Sequence, residues 1–143
     1  MRENPMQPAA TGASFRLMDE YVEAAELRSA LRQFIRRSEE VSRRHELTPR
    51  QYLLLLMIKA SEVGGGHATI TDLVSRLALT QSTVTELVQR AEEAGLVTRS
   101  PSPIDGRVVH LSLSPVGTER LEQAFRELGP ERELLLAQLR NEE

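Results

Sequence analysis

The chain has 143 residues, the size of one globular domain with no room for a second full one, and its 18 basic and 21 acidic side chains leave a net charge of −3. That balance excludes coating of nucleic acid by bulk positive charge, and the absence of cysteine excludes disulfide frameworks, thiol nucleophiles, cysteine-ligated metal centres and thiol redox sensing. The longest apolar run, Tyr52–Ile58, falls far short of the ~18 residues of a bilayer span. Residues Met1–Ser14 lack the charged start and apolar stretch of a secretory leader, so a soluble, cytoplasmic protein with no membrane partner is expected. Apolar residues at 40% with aromatics at only 3% predict an aliphatic, helix-packed core.

Residues 1–14, with Pro5, Pro8 and Gly12 and no apolar period, read as a mobile tail. From Phe15 the pattern becomes helical. Leu17, Tyr21, Ala24, Leu27, Leu31, Phe34, Ile35 and Val41 recur at helical spacing, and no glycine or proline interrupts 15–47. Such a helix, about 50 Å long, exceeds what a domain of this size can cover, so it is expected to pack against a partner chain. Thr48-Pro49-Arg50-Gln51 starts the next helix with a threonine cap, a proline in the first turn and a glutamine placed for a capping box. Its run Leu53–Ile58 is apolar almost all round, which predicts a central position, and Gly64-Gly65-Gly66 ends it as a simple loop.

Thr69-Ile70-Thr71-Asp72 caps a short helix ending near Ala78, and Thr80 caps another over 81–94, closed by Gly95. Two helices joined by about three residues form a helix-turn-helix. The period then changes to strands at 96–100 and 108–113, with the proline-stiffened loop Pro101–Arg107 between them. Ser114-Pro115 opens a helix to about Leu128, Gly129-Pro130 breaks it, and a last helix carries Leu134, Leu135, Leu136 and Leu139. The expected fold is therefore mainly α with a small β-hairpin. It is a winged helix-turn-helix lobe (48–113) between an N-terminal dimerisation helix (15–47) and C-terminal dimerisation helices (114–143).

In this order of elements one helix fits the DNA major groove, roughly 12 Å wide, while the hairpin reaches the neighbouring minor groove or backbone. In helix 81–94 the stripe Val84, Leu87, Val88, Ala91 and Ala94 must face the core. Ser82, Thr85, Glu86, Gln89 and Arg90 then project outward, with Gln81 and Thr83 at the first turn. Hydroxyls and amides donate to and accept from base edges, and an arginine forks to guanine or phosphate, so Gln81, Ser82, Thr83, Thr85, Gln89 and Arg90 are the candidate reading residues. Arg99, Asp105 and Arg107 are the candidates on the wing, 100–108.

The stretch 47–128 resembles the MarR-type (multiple antibiotic resistance regulator) transcription regulators. The resemblance lies in Leu47-Thr48-Pro49-Arg50-Gln51-Tyr52, in the segment Thr85 to Val97, and in the wing Arg99 to Arg107 followed by Leu113-Ser114-Pro115-Val116-Gly117. It implies a homodimer with interlocking first and last helices, double-stranded DNA read by 81–94, and wings placed in minor grooves. It further implies that Asp105 orients Arg107, and that a small aromatic or phenolic effector releases a repressor from its pseudo-palindromic operator. His45 and Tyr52, with Arg43 or Arg44, flank the junction of the first two helices and could line the effector pocket. His45 equally fits a helix-end histidine near the carbonyl dipole. One departure is Gly106, where the family often has arginine.

Two other readings compete. His45, His67 and His110 lie in different elements with no triad or metal-ligand spacing, so no enzyme, cofactor or metal site is expected. A winged helix used for protein–protein contact without DNA is the stronger competitor. Its support is the charge of 68–110, where four arginines face five carboxylates for a net of −1, since non-specific DNA binding is mostly counterion release.

Overall fold

The computed structural model describes residues 12–140. In chain order it holds α1 (Gly12–Arg44), α2 (Pro49–Val63), α3 (Ile70–Leu77), α4 (Gln81–Glu93), β1 (Val97–Pro101), β2 (Val109–Leu113), α5 (Pro115–Glu127) and α6 (Gly129–Arg140). The strands pair antiparallel in the register Val97↔Leu113 to Pro101↔Val109, and Ala68 adds a one-residue bridge to Leu111. This is a mainly α fold with one small hairpin among the described residues, the winged helix-turn-helix with long flanking helices. The expected tail falls largely on residues 1–11, outside the described residues, whereas Gly12–Ser14 already belong to α1.

Hydroxyl side chains start four of these helices. Thr48 with Gln51 and Thr69 with Asp72 form complete capping boxes. Thr80 accepts from the Thr83 N–H at 3.3 Å, and Ser114 from the Gly117 N–H at 3.0 Å. Each satisfies amide donors that the first helical turn leaves unpaired. Pro130 sits in the first turn of α6, where a missing N–H does no harm, so Gly129-Pro130 opens a helix directly after Leu128 instead of forming a gap.

Helix ends follow one recurring geometry. In α4 the N–H of Gly95 reaches the Glu92 carbonyl and that of Leu96 the Ala91 carbonyl, with Gly95 at φ 74°. The same pair of bonds ends α2 around Gly65 at φ 83°. In α1 it occurs without glycine: Glu46, at φ 59°, bonds back to Arg43, and Leu47 bonds back to Ser42. The helix therefore ends at Arg44 and not at Leu47, because Leu47 must turn inward to the core, where it is 2% exposed. Arg120 holds the Glu46 carboxylate at 3.1 Å, tying this strained corner to α5.

The core is aliphatic and centred on α2. Leu54, Leu55 and Ile58 are fully buried against Val41 of α1, Leu73 of α3, Val84, Val88 and Ala91 of α4, Leu111 of β2, and Leu121 and Ala124 of α5. Burying each large aliphatic side chain contributes about 1.5–3 kcal/mol. α5 is locked to the root of the hairpin by a close approach. The Leu96 carbonyl accepts from the Ser114 N–H at 3.0 Å, while Ser114 Oγ donates to the Gly95 carbonyl at 2.5 Å. A Cβ on Gly117 would stand 2.1 Å from the Leu96 carbonyl oxygen.

The flanking helices are held mainly by charge. Arg37 of α1 pairs with Glu131 of α6 at 3.0 Å. Arg44 pairs with Glu127 of α5, and His45 Nε2 lies 2.6 Å from the same carboxylate. The hydrogen bond from His45, then Arg44 and Arg37, hold the Glu127 carboxyl below its ordinary range against opposing desolvation, and Arg37 does the same for Glu131. Their apolar surface stays largely uncovered: α1 buries only Val41 and Ser42, and α6 buries nothing.

Gly117→Ala should destabilise the protein by about 1–3 kcal/mol through overpacking, whereas Gly106→Ala, whose Cβ meets nothing within 4 Å, should be near neutral; urea denaturation midpoints compare the two. A carboxyl lowered in the folded state stabilises it above the ordinary carboxylate range and loses that contribution as pH falls through the lowered value. Glu127→Gln should accordingly flatten the acid-side decline of stability with pH, measured as denaturation midpoint at a series of pH values.

Candidate nucleic-acid interface

α4 follows α3 through a turn in which Ala78 takes a left-handed backbone at φ 53° and Thr80 caps the new helix. Its inner face buries Val84, Val88 and Ala91, half-buries Leu87 and leaves Ala94 exposed just past its end. Gln81, Ser82, Thr85, Gln89 and Arg90 are all exposed on the outer face. Thr83 is half-buried; its N–H donates to the Thr80 hydroxyl oxygen, and its own hydroxyl oxygen accepts from the Thr80 hydroxyl at 2.8 Å. Thr83 thus takes part in the cap of α4.

Two candidate arginines are already paired within the protein. Arg90 bonds Glu86 one turn earlier at 2.7 Å, and Arg99 of β1 bonds Glu92 of α4. The second pair fastens the wing to the helix beside it. Exposed pairs of this kind are worth ~0–1 kcal/mol, so either arginine can exchange its carboxylate for a phosphate at small cost. Glu86 was legible as a partner from its spacing to Arg90; Glu92 was not, because its partner lies across a tertiary contact.

The wing loop is held along its backbone. Ser102 N–H donates to the Val108 carbonyl at 2.8 Å and Val108 N–H to the Asp105 carbonyl at 3.0 Å. Ser102 Oγ accepts from the N–H of both Ile104 and Asp105 at 3.3 Å. Asp105 Oδ1 accepts from the backbone N–H of Arg107 at 3.1 Å, not from its guanidinium. The aspartate therefore shapes the turn and would orient Arg107, as the resemblance implies, only through the main chain and not by holding its guanidinium. Gly106 is also not required by its backbone: its φ lies outside the left-handed region and a side chain there would meet open space. Arg107 is exposed and makes no ion pair among the described residues.

A shallow groove of about 260 Å³ runs between the start of α2 and α4, bringing Arg50 and Gln51 beside Glu86 and Arg90. Sequence reading passed over Arg50 because only the packing of α2 on α4 places it there. It also missed the stacking of His67 on His110, with ring centroids 4.3 Å apart, which spans the Ala68–Leu111 bridge.

Among the described residues, His45 and Tyr52 have separate engagements. His45 is engaged by Glu127, and Tyr52, 5% exposed, packs into the core, where burial pushes its phenol up against the opposing charge of Arg132. An apolar hollow of about 560 Å³ instead opens between α2 and α5, lined chiefly by Leu56, Ala60, Val63, Leu121 and Phe125, with Lys59 and Glu122 among its polar lining residues. No described helix is long and apolar enough to cross a membrane, and among the described residues no cluster of three or more acidic or histidine side chains could hold a metal.

Residues 45–108 match the sequence profile of the MarR family. The HTH-type transcriptional repressor IacR of Pseudomonas putida is 38% identical over 66 residues, covering 44% of this chain and 40% of that protein. The HTH-type transcriptional regulator YsmB of Bacillus subtilis is 31% identical over 86 residues, covering 60% of this chain and 56% of that one. The chain thus spans about two-fifths to just over half the length of the curated relatives it matches. Wild-type MarR from E. coli in its apo form superposes with a TM-score of 0.66 at 22% identity, over 78% of this chain and 81% of that one. The matched segment covers the helix-turn-helix and wing and the fold is shared well beyond it: the chain has the winged helix-turn-helix fold, and its residues 45–108 are similar to the MarR family.

Proposed function

We propose that this protein is a sequence-specific, double-stranded-DNA-binding transcription regulator that works as a homodimer, with α4 in the major groove and the wing at the minor groove. The observation that carries the reading is the outer face of α4: Gln81, Ser82, Thr85, Gln89 and Arg90, all exposed, beside a hairpin fastened to the same helix by Arg99 and Glu92. Among proteins of the same fold, a mutant MarR from E. coli was solved in complex with operator DNA (TM-score 0.64) and a mutant MepR from S. aureus bound to an oligodeoxyribonucleotide (TM-score 0.64). IacR is named a repressor, and repression is the mode proposed here.

Dimerisation follows from the uncovered apolar surface. Phe15, Met18 and Tyr21 on α1 are 59%, 62% and 70% exposed, and Leu134 on α6 is 61% exposed. Pairing these helices across a two-fold axis covers them and repeats α4 at half-sites about 34–36 Å apart on a pseudo-palindrome. The α2–α5 hollow is large enough for a small aromatic or phenolic effector, and the apolar lining of Leu56, Val63 and Phe125 suits a ring. A ligand there would press on α2, which packs directly against α4. The resident would therefore alter the placement of the reading helix and release the operator.

The competing reading, a protein-binding winged helix, draws on the carboxylates that occupy Arg90 and Arg99. A mobility-shift titration against the DNA upstream of the protein's own gene decides between them. Binding at low salt is expected, with a shallow salt dependence because few cations are free. Gly106→Arg should tighten it and steepen the salt slope by about one per wing, Arg107→Ala should do the reverse, and Gln89→Ala should relax preference at one base pair by ~1–3 kcal/mol. No shift with either the parent or Gly106→Arg would favour the protein-binding reading. Sedimentation should show a dimer at micromolar concentration and a folded monomer for the double variant Tyr21→Arg, Leu134→Arg, since both side chains are already exposed in the protomer.

A further inference from the structure

We propose that Ile104 is a specificity-determining residue of the wing, an apolar tip that seats in the DNA minor groove and selects sites by groove shape and base-step flexibility. The inference rests on the DNA-binding reading above. A single exposed aliphatic residue is ordinary on a protein surface; three features set this one apart.

The first is its degree of exposure. Ile104 is 98% exposed, against 78% for Val63, the next most exposed large apolar side chain described. The second is its mounting. Prolines stand at 101 and 103, and the hydrogen bonds of Ser102 and Asp105 engage the amides of Ser102, Ile104, Asp105, Arg107 and Val108. With the backbone already ordered, Ile104 gives up only its own rotamer freedom on contact, so the apolar gain is not spent on ordering a loop.

The third is the chemistry around it. Between Ser100 and Val108 the only cation is Arg107 and the only anion Asp105, while Pro101, Pro103 and Val108 add apolar residues to the same segment. A tip so composed is poorly suited to a row of phosphates. It matches a groove whose walls are deoxyribose C–H groups and whose floor is base edges. The minor groove, about 6 Å wide, admits one branched aliphatic group, and aliphatic wedges part base steps there most easily at flexible pyrimidine–purine steps. Arg107, three residues on, supplies the charge contact alongside, so the wing divides its work between one aliphatic and one guanidinium group.

The test uses the full chain and the upstream DNA fragment that it shifts. Ile104→Ser should weaken binding about tenfold while leaving the slope of log affinity against log salt unchanged, because an apolar contact releases no counterions. Ile104→Val should stay within about twofold of the parent. Selection from random DNA should lose the flexible-step preference at the flanks of the half-sites in Ile104→Ser and keep the central bases read by α4. Unchanged affinity and an unchanged selected motif would overturn the role of Ile104 while leaving the DNA-binding reading in place. Weaker binding with a shallower salt slope would also overturn it, since that signature means a displaced Arg107. If the parent shifts no DNA at all, the DNA-binding reading itself fails and this inference with it.

Discussion

The arrangement turns on one backbone contact, the carbonyl of Leu96 beneath the first turn of α5. At that point the end of α4, both roots of the hairpin and the start of α5 converge. Gly95 takes the left-handed backbone that ends α4, Leu96 enters the hairpin, Ser114 leaves it, and Gly117 has no side chain to hold α5 away. Ser114 serves two neighbours, donating its hydroxyl proton to the Gly95 carbonyl and accepting from the Gly117 amide. α4 and the wing are therefore referenced to the same corner as α5, and α5 leads into α6.

Electrostatics explains why the lobe is not a generic DNA-binding surface. Arg90 and Arg99 are held by carboxylates of the same lobe, and Arg107 is the unpaired wing cation among the described residues. On the DNA-binding reading proposed above, affinity would rest mainly on placed contacts: amides and hydroxyls on α4 and the fixed tip of the wing. The Glu92–Arg99 pair also links α4 to β1, with the small energy of an exposed ion pair.

The flanking helices show the opposite balance. Their inward contacts are ion pairs, Arg37 with Glu131 and both Arg44 and His45 with Glu127, while their larger apolar side chains point away from the protomer's own core. That uncovered apolar face is the surface on which the homodimer proposed above rests. The acid sensitivity that follows from those carboxylates would then act on the joint between flanking helices and lobe, leaving the lobe's aliphatic core unaffected.

Much of this was legible in the sequence because it depends on local chemistry. Threonine and serine caps, the glycines after α2 and α4, and the change from helical to alternating period determine where elements begin and what they are. The outward face of α4 follows from its apolar stripe alone. Tertiary structure decided what no local pattern encodes. The end of α1 at Arg44 has no glycine to announce it, because it is enforced by burial of Leu47 and by Arg120 on Glu46. The partner of Arg99, the place of Arg50 beside α4, and the closeness of Gly117 to Leu96 are products of packing between elements distant in sequence. Asp105 and Arg107 were rightly read as neighbours, yet a carboxylate two residues before an amide reaches that amide more easily than a long side chain aimed at solvent. His45 and Tyr52 lie near one junction in sequence, but an ion pair claimed one and the core the other, and the hollow opened instead where α2 and α5 diverge.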